Sequence, residues 1–262
     1  MKTVDNAMKL LSFFSAQAPE QKLSDLARAA GMDKASAMRS LGSLVACGLV
    51  EQDSETRHYR LGAGMRRLAR IRNSTVPIAV ELQHVLHDLT VQTNETSHVS
   101  VFSGQDMTTV AVCEPSRPTR VFVDPTQPLP VHATASGLVF LAHASDAVVD
   151  KVLAGMDVPM SFTATTISSP AELRLRLDGI RKRGFATATR TFEDEVTGIA
   201  APIFDARGLI QATIAAACIS SRTTEVLAGE IETFVLRACL SATRALGGTP
   251  PADFLHRIKE NG

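Results

Sequence analysis

Four side chains in the stretch MDKASAMRSL (32–41) carry the first chemical signal: Lys34, Ser36, Arg39 and Ser40. Two cations and two hydroxyls on one short helix offer donors to phosphate oxygens, and an arginine can bridge two acceptors on a guanine edge. A solvated helix face usually mixes Glu with Lys, and here no acid interrupts the set. At 100° per residue, Ala37, Met38, Leu41, Leu44 and Val45 fall on the inner side, while Ser36, Arg39, Ser40 and Ser43 fall on the outer side.

Other candidates are scattered further along. Thr134-Ala135-Ser136-Gly137 opens a helix, and the backbone N–H groups of a first turn favour a carboxylate. Strand alternation puts His98 and Ser100 on one face, where the two can line a pocket. Arg120 and Arg190 each offer a bidentate fork to an acid, with a surface ion pair as the plainer reading. His132 reads first as a structural hydrogen-bonding residue. Glu193-Asp194-Glu195 reads as a solvated loop, because adjacent residues of an extended chain do not converge on one metal. Cys47, Cys113, Cys218 and Cys239 lack metal-ligand spacing and read as reduced packing residues. No metal and no cofactor is expected.

Charge supports the front of the chain as the polyanion-facing part. The net charge of the 262 residues is zero, but residues 1–75 hold twelve Lys/Arg against seven Asp/Glu, and the remainder is acidic by the same margin. One tyrosine and no tryptophan leave little to stack on single-stranded bases, which favours duplex DNA. No apolar run reaches the length of a membrane span, and MKTVDNAMKL lacks a secretory signal's apolar stretch, so a cytoplasmic protein is expected.

The elements that must position these residues follow from periodicity and breakers. Ala7, Leu10, Leu11 and Phe14 mark a first helix. Ser24 is the expected N-cap of a second, which Gly31 stops, and Asp33 caps a third that ends at Gly48. Strands at 49–52 and 57–61 make a hairpin whose cations are Arg57, His58 and Arg60. GAGMRRLARIRN is a basic connecting helix, and the break at 74–77 is the expected domain boundary. Beyond it we expect a long helix over 78–92, strands at 98–102 and 108–113, and a proline-rich loop over 114–133 with a strand at 120–123. Helices at 134–144, 146–154 and 170–183 follow, then strands at 185–190, 198–205 and 209–219. A final helix over 225–246 precedes a loose tail. The fold class is α+β, with a mostly antiparallel sheet in the second domain.

These residues resemble a known family over about 5–247. LSDLARAAGMDKASAMRSLGSLVACGLVEQD is similar to the winged helix-turn-helix of IclR-type bacterial transcriptional regulators. LPVHATASGLVFLA and GIAAPIFDARGLIQATIAAA are similar to that family's effector-domain loop-helix and C-terminal hairpin. The resemblance implies a DNA-binding domain over 1–61, a helical linker over 62–77, a GAF-like effector-binding domain over 78–247 and a tail over 248–262. It implies a dimer or tetramer on a near-palindromic double-stranded operator, a small organic acid as effector and control of a catabolic pathway. Lys34, Ser36 and Arg39 carry over as groove contacts and Arg57 as a wing contact; Ser24, Ala35 and Ser40 complete the expected DNA-facing set. The implied effector pocket is walled by the 128–137 loop and helix start, by residues after Phe185 and by the last strands, and His98, Ser100, Thr134, Ala135, Ser136, Gly137, Arg190, Ala215 and Ala217 form the expected effector set. Two departures stand out: the wing tip Asp53-Ser54-Glu55-Thr56 lacks the family's glycine, and Leu138 replaces its usual lysine. The apolar strand ATIAAAC points to a larger, partly apolar effector such as an aromatic acid. The competing readings are a thiol- or metal-dependent enzyme, for which no local nucleophile–base motif exists, and a protein-binding winged helix without DNA affinity.

Overall fold

The computed structural model describes residues 2–15, 18–75, 78–154 and 160–260. It divides into two compact units, residues 1–77 and 78–262.

In the first unit, α1 (Lys2–Leu11), α2 (Leu23–Ala29) and α3 (Lys34–Ala46) enclose a small core of Leu10, Leu26, Ala37, Leu41, Leu44 and Tyr59. Asp33 caps α3 by accepting from the Ser36 N–H at 2.8 Å, which fixes where the helix starts. The second helix starts without the expected cap: Lys22 occupies that position with no side-chain bond, and Ser24 lies within the first turn of α2. Three short strands, β1 (Glu20–Gln21), β2 (Val50–Gln52) and β3 (Tyr59–Leu61), form an antiparallel sheet in the order β1-β3-β2. A two-residue strand with one apolar neighbour leaves no alternation to read, so β1 was invisible in the sequence. The basic helix α4 (Ala63–Thr75) follows at once. Its start is held by the Glu51 carboxylate, which accepts from Ala63 N–H at 3.1 Å, and by Gly64 N–H donating to the Gly48 carbonyl at 2.9 Å.

The second unit is built on a six-stranded sheet. Its strands are β4 (Thr96–Phe102), β5 (Asp106–Cys113), β6 (Leu129–Pro130), β7 (Ala186–Thr189), β8 (Val196–Phe204) and β9 (Ile210–Ile219). The order is β6-β5-β4-β9-β8-β7, and every pair is antiparallel. The expected long helix is two pieces, α5 (Ile78–Glu81) and α6 (Gln83–Thr93), broken at the fully buried Leu82. The expected strand at 120–123 is absent, and 114–128 runs without sheet pairing; within the proline-rich loop Leu129–Pro130 (β6) pairs with β5.

Alternation along the strands makes two cores. Val99, Ile199, Ala201, Ile203 and Ile214 face α6 and α10 (Glu225–Ala245). Ala186, Ala188, Ala200 and Ala215 face α7 (Ala135–His143), with α8 (Asp146–Ala154) and α9 (Pro170–Arg183) beyond it. Every residue from Ala135 to Ala142 is buried, so α7 is an interior helix, consistent with its lack of a polar face. The 248–262 segment is not the loose tail expected. Ala252–Glu260 forms α11, and Phe254 is buried edge-on against Phe204 with ring centroids 5.0 Å apart. One aromatic residue on an amphipathic turn anchors what composition alone read as tail.

Candidate DNA-binding surface and ligand pocket

The first unit presents a helix and a hairpin for binding. On α3, Lys34, Ala35, Arg39 and Ser43 are exposed and Ser36 is half-buried. The Arg39 guanidinium donates to Ser36 Oγ at 3.1 Å, which lines up two candidate contacts along one face. Ser40 must be removed from the expected set: it is 2% exposed. Met38 takes an outward position instead, at 57% exposure, while Ala37, Leu41 and Leu44 form the buried ridge in the core shared with Leu10 and Leu26. Ser24 is exposed on α2, where it makes no cap bond.

The hairpin turn closes without glycine. Asp53 Oδ1 accepts from Glu55 N–H, Thr56 N–H and Thr56 Oγ1–H at 2.7–3.0 Å. These bonds hold the Asp53 carboxyl below the usual carboxylate range. Arg57 itself takes the left-handed conformation that glycine would supply, with φ +60°, and the Gln52 side chain donates to its carbonyl at 3.0 Å. The Arg57 side chain is left exposed at the tip.

Charge pairing separates the basic residues of this unit into two groups. Arg60 lies 3.4 Å from Glu51 and 3.6 Å from Glu20, and Arg28 pairs with Asp25. Lys34 and Arg39 of α3, Arg57 of the wing, and Arg66, Arg67 and Arg70 of α4 make no ion pair among the described residues.

In the second unit, much of the expected effector set comes together. His98 is the register partner of Ala215, and Thr96 that of Ala217. His98 Nδ1 lies 3.1 Å from Ser100 Oγ, which lies 3.4 Å from Thr109 Oγ1, so the strands carry a buried polar row beneath α7. Burial pushes the His98 imidazole down to about 4. Ala135 reaches the same layer, since a Cβ placed on Gly198 would stand 3.2 Å from the Ala135 methyl. The start of α7 differs from expectation in one respect. Gly137 N–H is not free; it donates to Thr134 Oγ1 at 3.2 Å, and Thr134 Oγ1 also donates to the Pro130 carbonyl. Arg190 stands apart from this layer, exposed after β7, with its carbonyl accepting from Thr163 and Thr165. Arg120 donates to Glu114 at 2.9 Å rather than waiting for a ligand.

A cleft of about 560 Å³ lies beside this layer, and none of the nine expected effector residues lines it. Its walls include Asp106, Val131, His132, Lys151, Phe162 and Phe192. Val131, His132 and Phe192 lie in the 128–137 segment and after Phe185, where the resemblance implies the pocket walls, although His132 itself reads as structural. The others come from a strand start, a helix and a loop, with no local spacing to connect them. A buried acid also escaped notice. Glu95, 2% exposed, pairs with Arg117 at 3.2 Å and Arg222 at 3.3 Å, and Arg222 donates to the Thr119 carbonyl. With Thr96 Oγ1 donating to the Val121 carbonyl at 2.6 Å, this cluster fastens the 114–121 segment to the end of the sheet.

The competing enzyme reading needs a metal site or an activated thiol among the described residues. No group of three or more His, Cys, Asp and Glu residues among them suits a metal ion. Burial pushes the Cys218 thiol up to about 12 and raises Cys239 as well, the opposite of an activated nucleophile. No helix among the described residues is long and apolar enough to cross a membrane.

A helix-turn-helix with a hairpin wing, followed by an α/β unit with a buried polar row and a cleft, is the architecture of a two-domain DNA-binding regulator. Residues 3–54 match the IclR helix-turn-helix domain, and residues 73–244 match the family described as bacterial transcriptional regulator IclR C-terminal. The chain belongs to the IclR family of bacterial transcriptional regulators. It is 26% identical to the HTH-type transcriptional regulator XynR of Escherichia coli K12, over 94% of this chain and 98% of that one. It is 26% identical to the transcriptional repressor IclR of the same organism, over 95% and 91%. A crystal structure of an IclR transcriptional regulator from Silicibacter sp. TM1040 superposes with a TM-score of 0.86 at 36% identity, covering 96% of this chain and 99% of that one.

Proposed function

We propose that this protein is a ligand-responsive regulator of a catabolic pathway that reads a near-palindromic DNA operator as a dimer or tetramer. The observation that carries this reading is the unpaired set of cations on α3, the wing tip and α4, beside paired Arg28 and Arg60 in the same unit. Cations without acidic partners gain most from a polyanion, through phosphate contact and counterion release. In this reading Lys34, Ala35, Ser36 and Arg39 enter the major groove, Arg57 contacts the backbone from the wing, and Ser24 lies near a phosphate. Two copies place their recognition helices about 34 Å apart, or a multiple of that.

The 78–262 unit is read as a GAF-like sensor for a small organic acid. His98, Ser100, Thr134 to Gly137, Ala215 and Ala217 form the layer whose packing a ligand would sense, and Arg190 lies at its margin. A ligand acts here only through different affinities for the DNA-competent and incompetent states. The protein is read as working in the cytoplasm.

The test is a gel shift of the full chain on the DNA upstream of its own gene, across a salt series, with random duplex as competitor. Selective, steeply salt-dependent binding supports the regulator reading. Equal affinity for random duplex at every salt concentration would leave the winged helix as a protein-binding module.

A further inference from the structure

The exposed face of α3 carries a large apolar group among its cations. Met38, which the helical wheel places inside, stands outward at 57% exposure. Lys34, Ala35, Arg39, Gly42 and Ser43 are exposed on the same helix, and α3 contains no acid. Successive residues stand 100° apart about a helix axis, so Met38 and Arg39 lie on opposite sides of the line through Ala35 and Gly42. The Arg39 guanidinium is drawn along its own side by its donation to Ser36 Oγ at 3.1 Å. Met38 is left as the first long apolar group on the other side, with Lys34 one turn before it.

The line between the two is bare. Gly42 lies in the interior of a 13-residue helix, where glycine is unfavourable against alanine because it gives up more backbone freedom. Its φ is not positive and, among the described residues, a Cβ built on it would meet nothing within 4 Å. Neither conformation nor space inside the unit calls for glycine there. What the missing side chain leaves is room outside, one turn beyond Met38, for a surface to come against the helix.

That surface must welcome cations and also offer an apolar spot. Duplex DNA does both in one place. Phosphates line the edges of the major groove, and the C5-methyl of thymine is the apolar group among the base-edge features of its floor. A methionine side chain is unbranched and polarizable, so it follows the shape of a methyl group closely. We propose that Met38, with the Ala35 methyl one turn before it, is a specificity-determining residue that reads a thymine C5-methyl beside the base pair engaged by Arg39. The proposal rests on reading the first unit as a DNA-binding domain, and it names the base chemistry that this domain selects. The half-site then combines a G·C pair for Arg39 with a neighbouring T·A pair for Met38.

The test starts from duplexes that the full chain selects out of a random pool. Each thymine of the selected half-site is replaced in turn by deoxyuridine, which removes only the methyl group. We expect about fourfold weaker binding at one position of each half-site, the effect of leaving a single methyl unburied. At that position 5-methylcytosine binds more tightly than cytosine. Met38→Gln, similar in length but polar, binds the thymine and uracil duplexes equally there, whereas Met38→Leu keeps the preference. Arg39→Ala weakens both duplexes and leaves their ratio as it was. Thermal melts check that these surface variants fold. The absence of any uracil-sensitive thymine, or a uracil effect undiminished in Met38→Gln, overturns the assignment and leaves the regulator reading in place. A pool that yields no preferred sequence removes the regulator reading, and the assignment with it.

Discussion

Gly137 and Val131 meet backbone to backbone: a Cβ at position 137 would overlap the Val131 Cα and carbonyl. The first turn of α7 is thus seated directly on the segment that leads from β6, and glycine is required by space rather than by φ. We expect Gly137→Ala to destabilise the second unit by about 3 kcal/mol, at the upper end for overpacking because backbone and not a movable side chain blocks the methyl. Thermal unfolding followed by circular dichroism reads this directly. Wild-type stability in the variant would show that the helix can slide away. A lost ligand response in any Gly137 variant therefore reports packing before it reports a carboxylate site.

On the DNA side, Arg39→Ala should weaken specific binding by about 1–3 kcal/mol and relax selectivity at one base position. Lys34→Ala should weaken all duplexes alike and reduce the salt slope by about one. Ser40→Ala should leave both quantities unchanged, since its hydroxyl is buried. Gel shifts at several salt concentrations separate the three, and a selective loss on Ser40→Ala would contradict the burial.

The pH dependence of stability has a definite sign at His98. Burial holds its folded pKa near 4, against about 6.5 in an unfolded chain. Below pH 6.5 the unfolded chain takes up a proton that the folded one refuses, so stability is full above that pH and is lost as pH falls toward 4. The contribution amounts to roughly 3 kcal/mol. His143, also lowered to about 4 by burial, acts in the same direction. Urea midpoints between pH 7.5 and 4.5 should fall less steeply in His98→Gln than in wild type; parallel curves would mean that the imidazole is not protected.

Phe254→Ala should cost about 3–5 kcal/mol, the range for removing a buried aromatic ring, because Phe254 fills the space beside Phe204 and Gly184. Deleting residues from 252 onward should do the same. An unchanged melting temperature in both would return this segment to the status of a tail.

Regular elements were legible wherever periodicity was long. The Asp33 cap and the antiparallel β8–β9 pair follow from residue pattern. The failures have local physical causes. Ser40 sits close to the boundary of the helical wheel, and a few degrees of tilt bury it. Ser24 has the right chemistry for a cap, but the helix begins two residues earlier than such a cap would set, with Lys22 at the N-cap. Arg57 adopts a glycine-like φ because three bonds to Asp53 and one from Gln52 hold the turn. The Glu95 cluster and the Asp106–Lys151 cleft depend on residues far apart in the chain, and single-sequence spacing carries no record of such meetings.

The pairing of β4 with β9 has a consequence for synthesis. Ser100 and Thr213 are bonded across the centre of the sheet at a separation of 113 residues. The central seam cannot close until the ribosome has released most of the second unit, whereas the internal contacts of the first unit need only residues 1–77. At about 5–20 residues per second, translation leaves the winged helix complete for several seconds before the sheet can zip. Newly made protein therefore acquires its basic surface before its sensor, and destabilised second-unit variants should accumulate as chains with a finished winged helix and an open, unpaired β4.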